Sequence, residues 1–146
     1  MPQRCVFCEI VARRSPVSLV AESAEALAFL TIGPLGDGHA LVIPKRHVVE
    51  YPDANASELA AVFDLGAAVA RQQRRVLGST GENLLLASGL AAEQSVFHLQ
   101  LHVVPRREGD GVDLNAWWQQ KMQRPKPDRA ALERIAEQLR LASPDL

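Results

Sequence analysis

Polar and apolar side chains alternate along residues 96–104: His98, Gln100 and His102 interleave with Leu99, Leu101 and Val103. Successive strand side chains point to opposite faces, so this period of two predicts a half-buried β-strand with the leucines and Val103 turned to a core. The opposite face then carries two imidazoles and an amide, neighbours being about 6.6 Å apart, a spacing that can line a cleft. Upstream, residues 18–22 and 26–32 have the composition of two short strands. Residues 39–44 form an apolar run of strand length that emerges from a loop marked by Gly33, Pro34, Gly36 and Gly38.

The period then changes. Leu59, Val62, Phe63, Val69 and Val76 recur at helical spacing over residues 55–77, with Asp53, Asn55 and Ser57 as candidate N-caps and Gly78 as a stop. A fourth strand is predicted over residues 83–87, and the central strand, starting at Val96, must end in the charged, glycine-rich stretch 106–111. Residues 5–14 read as a short helix or turn. Asp128 caps a last amphipathic helix, about 128–142, with Leu132, Ile135 and Leu139 on one face. Trp117 and Trp118 fall in a segment with no clear periodicity. Most consecutive strands are linked too tightly for crossover helices, which predicts one α+β domain over residues 1–146. It has about five strands in a mainly antiparallel sheet, one long helix and a C-terminal helix.

Composition narrows the function. The 146 residues are 47% apolar and 23% charged with a formal net charge of −1. That balance argues against a nucleic-acid surface held by bulk positive charge, whereas a small anion needs only a few local groups. No apolar run approaches the roughly 20 residues of a membrane span, and residues 1–5 do not begin a secretion signal, so a soluble cytoplasmic protein is expected.

The chemistry-bearing residues are few. Cys5 and Cys8 are the only cysteines, in a C-x-x-C arrangement, and His39, His47, His98 and His102 are the only histidines. The spacing of the cysteines is compatible with a metal site, a redox pair or a plain reduced pair. A redox pair of the thioredoxin kind would follow a strand, and none is predicted before Cys5. Two histidines joining the thiolates would complete tetrahedral zinc, closed to water and structural in role. Ser95, in the loop before the central strand, and the backbone N–H groups around it can receive phosphate oxygens. His102 can act as acid, base or nucleophile near neutral pH.

Several segments together resemble the histidine-triad (HIT) superfamily. The stretch Phe97-His98-Leu99-Gln100-Leu101-His102-Val103-Val104-Pro105-Arg106 is similar to its His-φ-His-φ-His-φ-φ signature, φ being apolar, with Gln at the middle position. Cys5-Val6-Phe7-Cys8-Glu9-Ile10, Ala28-Phe29-Leu30 and Gly38-His39-Ala40-Leu41-Val42-Ile43-Pro44-Lys45-Arg46-His47 agree in order. The resemblance implies an α+β sheet that pairs into a homodimer, with a purine mononucleotide held beside the triad. For the zinc-containing bacterial type it implies Cys5, Cys8, His47 and His98 as ligands.

Members of the superfamily hydrolyse or transfer nucleoside monophosphates by attack of the middle histidine on the α-phosphorus. That position is Gln100 here, and an amide nitrogen is neither basic near pH 7 nor a useful nucleophile. By analogy with other nucleophile deletions, a loss of roughly 10⁴ to 10⁶ in rate is expected. Three further departures surround the same cleft: Thr31 where a ribose-binding Asp is common, Ala87 for Asn, and Glu93 for Gly. His39, Gln94, Ser95 and His102 are retained. The sequence thus points to a nucleotide- or phosphate-ester-binding protein whose hydrolase or nucleotidyltransferase chemistry is altered. His102 and Gln100 stand at the catalytic positions, and His39, Gln94, Ser95, Thr31 and Glu93 at the substrate. Two alternatives are a catalytically silent zinc-bound dimer and an enzyme with a repurposed cleft in which Glu93 and His102 pair as base and acid.

Overall fold

A computed structural model describes residues 4–141. The strands are β1 (Leu19–Glu22), β2 (Ala26–Leu30), β3 (Ala40–Pro44), β4 (Gly81–Leu85) and β5 (Leu101–Arg106), and the helices are α1 (Val6–Val11), α2 (Ala56–Leu77), α3 (Trp117–Gln123) and α4 (Arg129–Leu141). The strands form one sheet in the order β1-β2-β3-β5-β4, with every neighbouring pair antiparallel. The α+β architecture is therefore as expected, and the long helix is the link that carries the chain from β3 to the far edge.

β2 and β3 are buried throughout, and their alternate side chains feed two separate cores. Ala26, Ala28, Leu30, Ala40, Val42, Leu101 and Val103 pack with Val62, Leu65 and Val69 of α2 and Leu132, Ala136 and Leu139 of α4. Leu27, Phe29, Leu41 and Ile43 point the other way and pack with Phe7 and Ile10 of α1. A Cβ on Gly66 of α2 would lie 3.3 Å from Leu101 Cδ2, so the missing side chain lets α2 lie close on β5. Asn55 caps α2 by accepting from the Glu58 N–H, and Glu58 in turn accepts from the Asn55 N–H, a reciprocal capping box. Of the three candidate caps, Asn55 is the one used, and Gly78 closes the helix at φ +72°.

Four sequence expectations shift, one of them the fourth strand, which runs Gly81–Leu85 rather than over residues 83–87. The central strand starts at Leu101 rather than Val96, because β3 pairs with β5 only from Ala40 to Val42 and Pro44 has no N–H to extend a ladder. Leu99 instead donates its N–H to the Val48 carbonyl at 2.7 Å, and the alternation survives outside the strand: Leu99, Leu101 and Val103 are all buried. Phe63, counted with the apolar stripe of α2, is exposed. The aperiodic segment around the tryptophans folds as a 3₁₀ turn running into α3, so the chain has more helix than expected. The last helix begins after Asp128, whose carboxylate accepts from the Ala131 N–H, and the expected end at residue 142 lies outside the described residues.

Leu139 ties α4 to the sheet core. Its truncation, Leu139→Ala, is expected to cost about 2–5 kcal/mol in denaturant unfolding; a loss under about 1 kcal/mol would show that α4 is not part of the core.

Candidate functional site

Two sites meet on the α1 side of the sheet, one at each end of the segment from His98 to His102. The first holds Cys5, Cys8, His47 and His98, whose ligand atoms all lie within 4.8 Å of one another. Cys5 is the N-cap of α1 and accepts from the Cys8 N–H, which brings both sulfurs to one turn. His47 follows β3. Fully buried His98 comes in from the segment before β5 with its ring edge-on to Phe7.

The donor geometry matches tetrahedral zinc. Zn–S near 2.3 Å and Zn–N near 2.0 Å place sulfur and nitrogen roughly 3.5 Å apart across the ion. Here His98 Nδ1 lies 3.4 Å from Cys5 Sγ and 3.6 Å from Cys8 Sγ, and His47 Nδ1 lies 3.3 Å from Cys8 Sγ. His98 Nε2 lies 2.8 Å from the Pro44 carbonyl. A carbonyl can only accept, so Nε2 carries the proton and Nδ1 keeps its lone pair for a metal. Burial further holds the His98 pKa below the ordinary histidine value, against the raising effect of the Pro44 hydrogen bond, which favours the neutral, ligating form. Burial and then the adjacent Cys5 thiol push the Cys8 thiol up to about 11. The donors, their spacing and the oriented imidazole make this a closed Cys2His2 zinc site.

The second site is a cleft built on His102. The backbone N–H of Leu35 donates to His39 Nδ1 at 3.0 Å, so His39 holds its proton on Nε2. That nitrogen lies 2.9 Å from His102 Nδ1, which must therefore accept, leaving the His102 proton on Nε2. Two cavities meet at Ser95, Gln100 and His102. One, of about 450 Å³, runs under α1 past Phe29 and Thr31 towards Lys126 and Arg129. The other, of about 320 Å³, runs past Ala87, Glu93 and Trp117.

The remaining predicted residues fall in or beside this cleft. Gln100 donates from Nε2 to the Val96 and His98 carbonyls, each at 3.0 Å, so the oxygen of its amide is the atom left for other partners. Gln94 is buried and wholly engaged by the loop: Oε1 accepts from the Gly89 N–H, and Nε2 donates to the Val49 and Val96 carbonyls. Thr31 is buried and its Oγ1 accepts from the Gly33 N–H at 3.1 Å. Glu93 is exposed and sits at φ +67°, a left-handed conformation that strains any residue but glycine.

Residues 12–109 match the HIT domain family. The chain belongs to that family. It is 39% identical over 131 residues to an uncharacterized HIT-like protein of Mycobacterium tuberculosis, covering 90% of this chain and 89% of that protein. It is 31% identical to the adenosine 5′-monophosphoramidase of Schizosaccharomyces pombe, covering 93% of this chain and 98% of the yeast protein. Its fold is similar to the crystal structure of a zinc-bound histidine triad family protein from Mycobacterium smegmatis, with TM-score 0.81 and 39% identity over 94% of this chain and 91% of that one. Among the described residues of this HIT protein, no helix is long and apolar enough to cross a membrane.

Two features of the HIT cleft had no sequence signal. Trp117, without an assigned role in the sequence, packs edge-on to His102 with ring centroids 5.5 Å apart. Met122, Lys126 and Arg129 also reach the larger cavity. These residues arrive because the chain after β5 folds back over the sheet, and their spacing carries no motif.

A Cys8 thiol raised to about 11 is protonated near pH 7, so zinc must displace its proton. Zinc affinity measured by chelator competition is therefore expected to rise by at least about tenfold per pH unit between pH 6 and 8. An affinity independent of pH would contradict thiolate ligation.

Proposed function

We propose that this HIT protein binds a nucleotide or a related phosphate ester at His102, and that cleavage there proceeds without a covalent enzyme intermediate. One observation carries the reading: His102 stands where the two cavities meet, with Nε2 as its protonated nitrogen. Ser95 lies at the same junction and its hydroxyl donates to a phosphoryl oxygen. Gln94 contributes by holding the Ser95 loop through its three backbone hydrogen bonds.

Gln100 takes the place of the middle histidine. Two backbone carbonyls hold its amide nitrogen, so no nucleophile faces the phosphorus at this position. Water attacks phosphorus instead, and its proton passes through solvent to the leaving oxygen or nitrogen as that bond breaks, while His102 Nε2–H keeps its proton and donates a hydrogen bond to the leaving atom. The similarity to a relative named as an adenosine 5′-monophosphoramidase supports a phosphorus–nitrogen or phosphorus–oxygen bond as the target. Zinc at Cys5, Cys8, His47 and His98 is structural: four protein ligands leave no open position for water.

A second copy of the chain is expected along β4, one of the two outer strands of the sheet, where Leu84 is exposed. Such an edge is a natural template for strand pairing.

The reading is tested with a nucleoside phosphoramidate. Gln100→His is expected to raise turnover by at least about 10²-fold over the unmodified chain, and His102→Asn to lower residual turnover by about 10²–10⁴-fold. No turnover in Gln100→His, together with no thermal shift on adding AMP, would sink it and favour a silent zinc-bound protein.

A further inference from the structure

The larger arm of the cleft has an unusual inventory for a site that accepts a nucleotide. Its 450 Å³ is walled by Phe7, Ile10, Phe29, Leu41, Val96 and Met122, and the charged side chains that line it, Lys126 and Arg129, are both cations. Among the described lining residues there is no carboxylate. A ribose presents two adjacent hydroxyl donors, and gripping both calls for an acceptor with two oxygens, which a carboxylate supplies and a hydroxyl does not.

Thr31 is buried beside this arm, and its Oγ1 already receives the Gly33 N–H. One lone pair and one proton remain on that oxygen, enough for one hydroxyl of a pair. Gln100 lines both arms together with His102 and Ser95, at the end of the arm assigned to the phosphate. Apolar walls reward an apolar body, and the phosphate is held at the other end by His102 and Ser95.

We infer that the larger arm is indifferent to a ribose diol and selects phosphate esters or phosphoramidates of apolar aryl or alkyl groups, the apolar body lying between Phe29 and Val96. This rests on His102 and Ser95 being the phosphate end of the site. Thr31 is the residue that sets the selectivity, because a carboxylate at its position would restore a two-oxygen acceptor.

The test is equilibrium binding to the zinc-loaded full chain, using AMP, 2′,3′-dideoxy-AMP and 1-naphthyl phosphate as probes. A site built to hydrogen-bond a hydroxyl pair rejects the analogue lacking it by a large factor. Here AMP and its dideoxy analogue are expected to bind within about twofold of each other, with 1-naphthyl phosphate at least as tight as AMP. In Thr31→Asp the preference for AMP over the dideoxy analogue is expected to rise to about tenfold. A tenfold preference for AMP in the unmodified chain, or naphthyl phosphate binding tenfold more weakly than AMP, overturns the inference and leaves the phosphate end intact. No binding of any of the three overturns the inference and the phosphate end together.

Discussion

The hydrogen bond from His98 Nε2–H to the Pro44 carbonyl is the constraint on which both sites depend. Pro44 ends the β3 ladder for want of an N–H, so the chain before β5 leaves the sheet and must be held by other means. That bond, with the Leu99 N–H on the Val48 carbonyl, holds it. With His98 fixed, its Nδ1 reaches the two sulfurs, and the alternation continues through Gln100 to His102 on the same side. Metal centre and cleft are thus two ends of one five-residue segment, and α1, whose N-cap is Cys5, links the cysteine pair to the wall of the larger cavity.

Within the cleft, hydrogen-bond direction decides more than residue type. Two carbonyls hold the Gln100 amide nitrogen and leave an oxygen, so an acceptor stands at the place given by the resemblance to the middle histidine. A backbone N–H at Leu35 fixes His39, which fixes His102, so a proton on His102 Nε2 is set by a main-chain donor on the loop before β3.

Much of this was legible in the chain. The period of two at Leu99, Leu101 and Val103 marked the core face even where no ladder forms, because side-chain alternation outlasts backbone pairing. Asn55, one of three candidate caps, and Gly78 stand at the ends of α2 through local chemistry, a side-chain acceptor and a left-handed stop. Cys5, Cys8, His47 and His98 were nominated by resemblance, and the fold brings their donors together. What the chain concealed depends on long-range packing. Gln94 was expected at a phosphate, yet its three hydrogen bonds close a loop, a matter of which backbone groups lie within reach. The start of β5 turned on Pro44, more than fifty residues away, and Trp117 reached His102 only through the return of the chain over the sheet.

The four histidines fall into two pairs, His47 and His98 at the metal site and His39 and His102 in the cleft. Nitrogen-15 NMR of the zinc-loaded, histidine-labelled protein reads this division directly, since each ring nitrogen reports whether it bears a proton, a lone pair or a metal. The predicted spectrum shows His47 and His98 metal-bound through Nδ1, and His39 and His102 as neutral rings protonated on Nε2 at alkaline pH. A His102 ring protonated on Nδ1, or a His98 ring whose Nδ1 carries no metal signature, would contradict it.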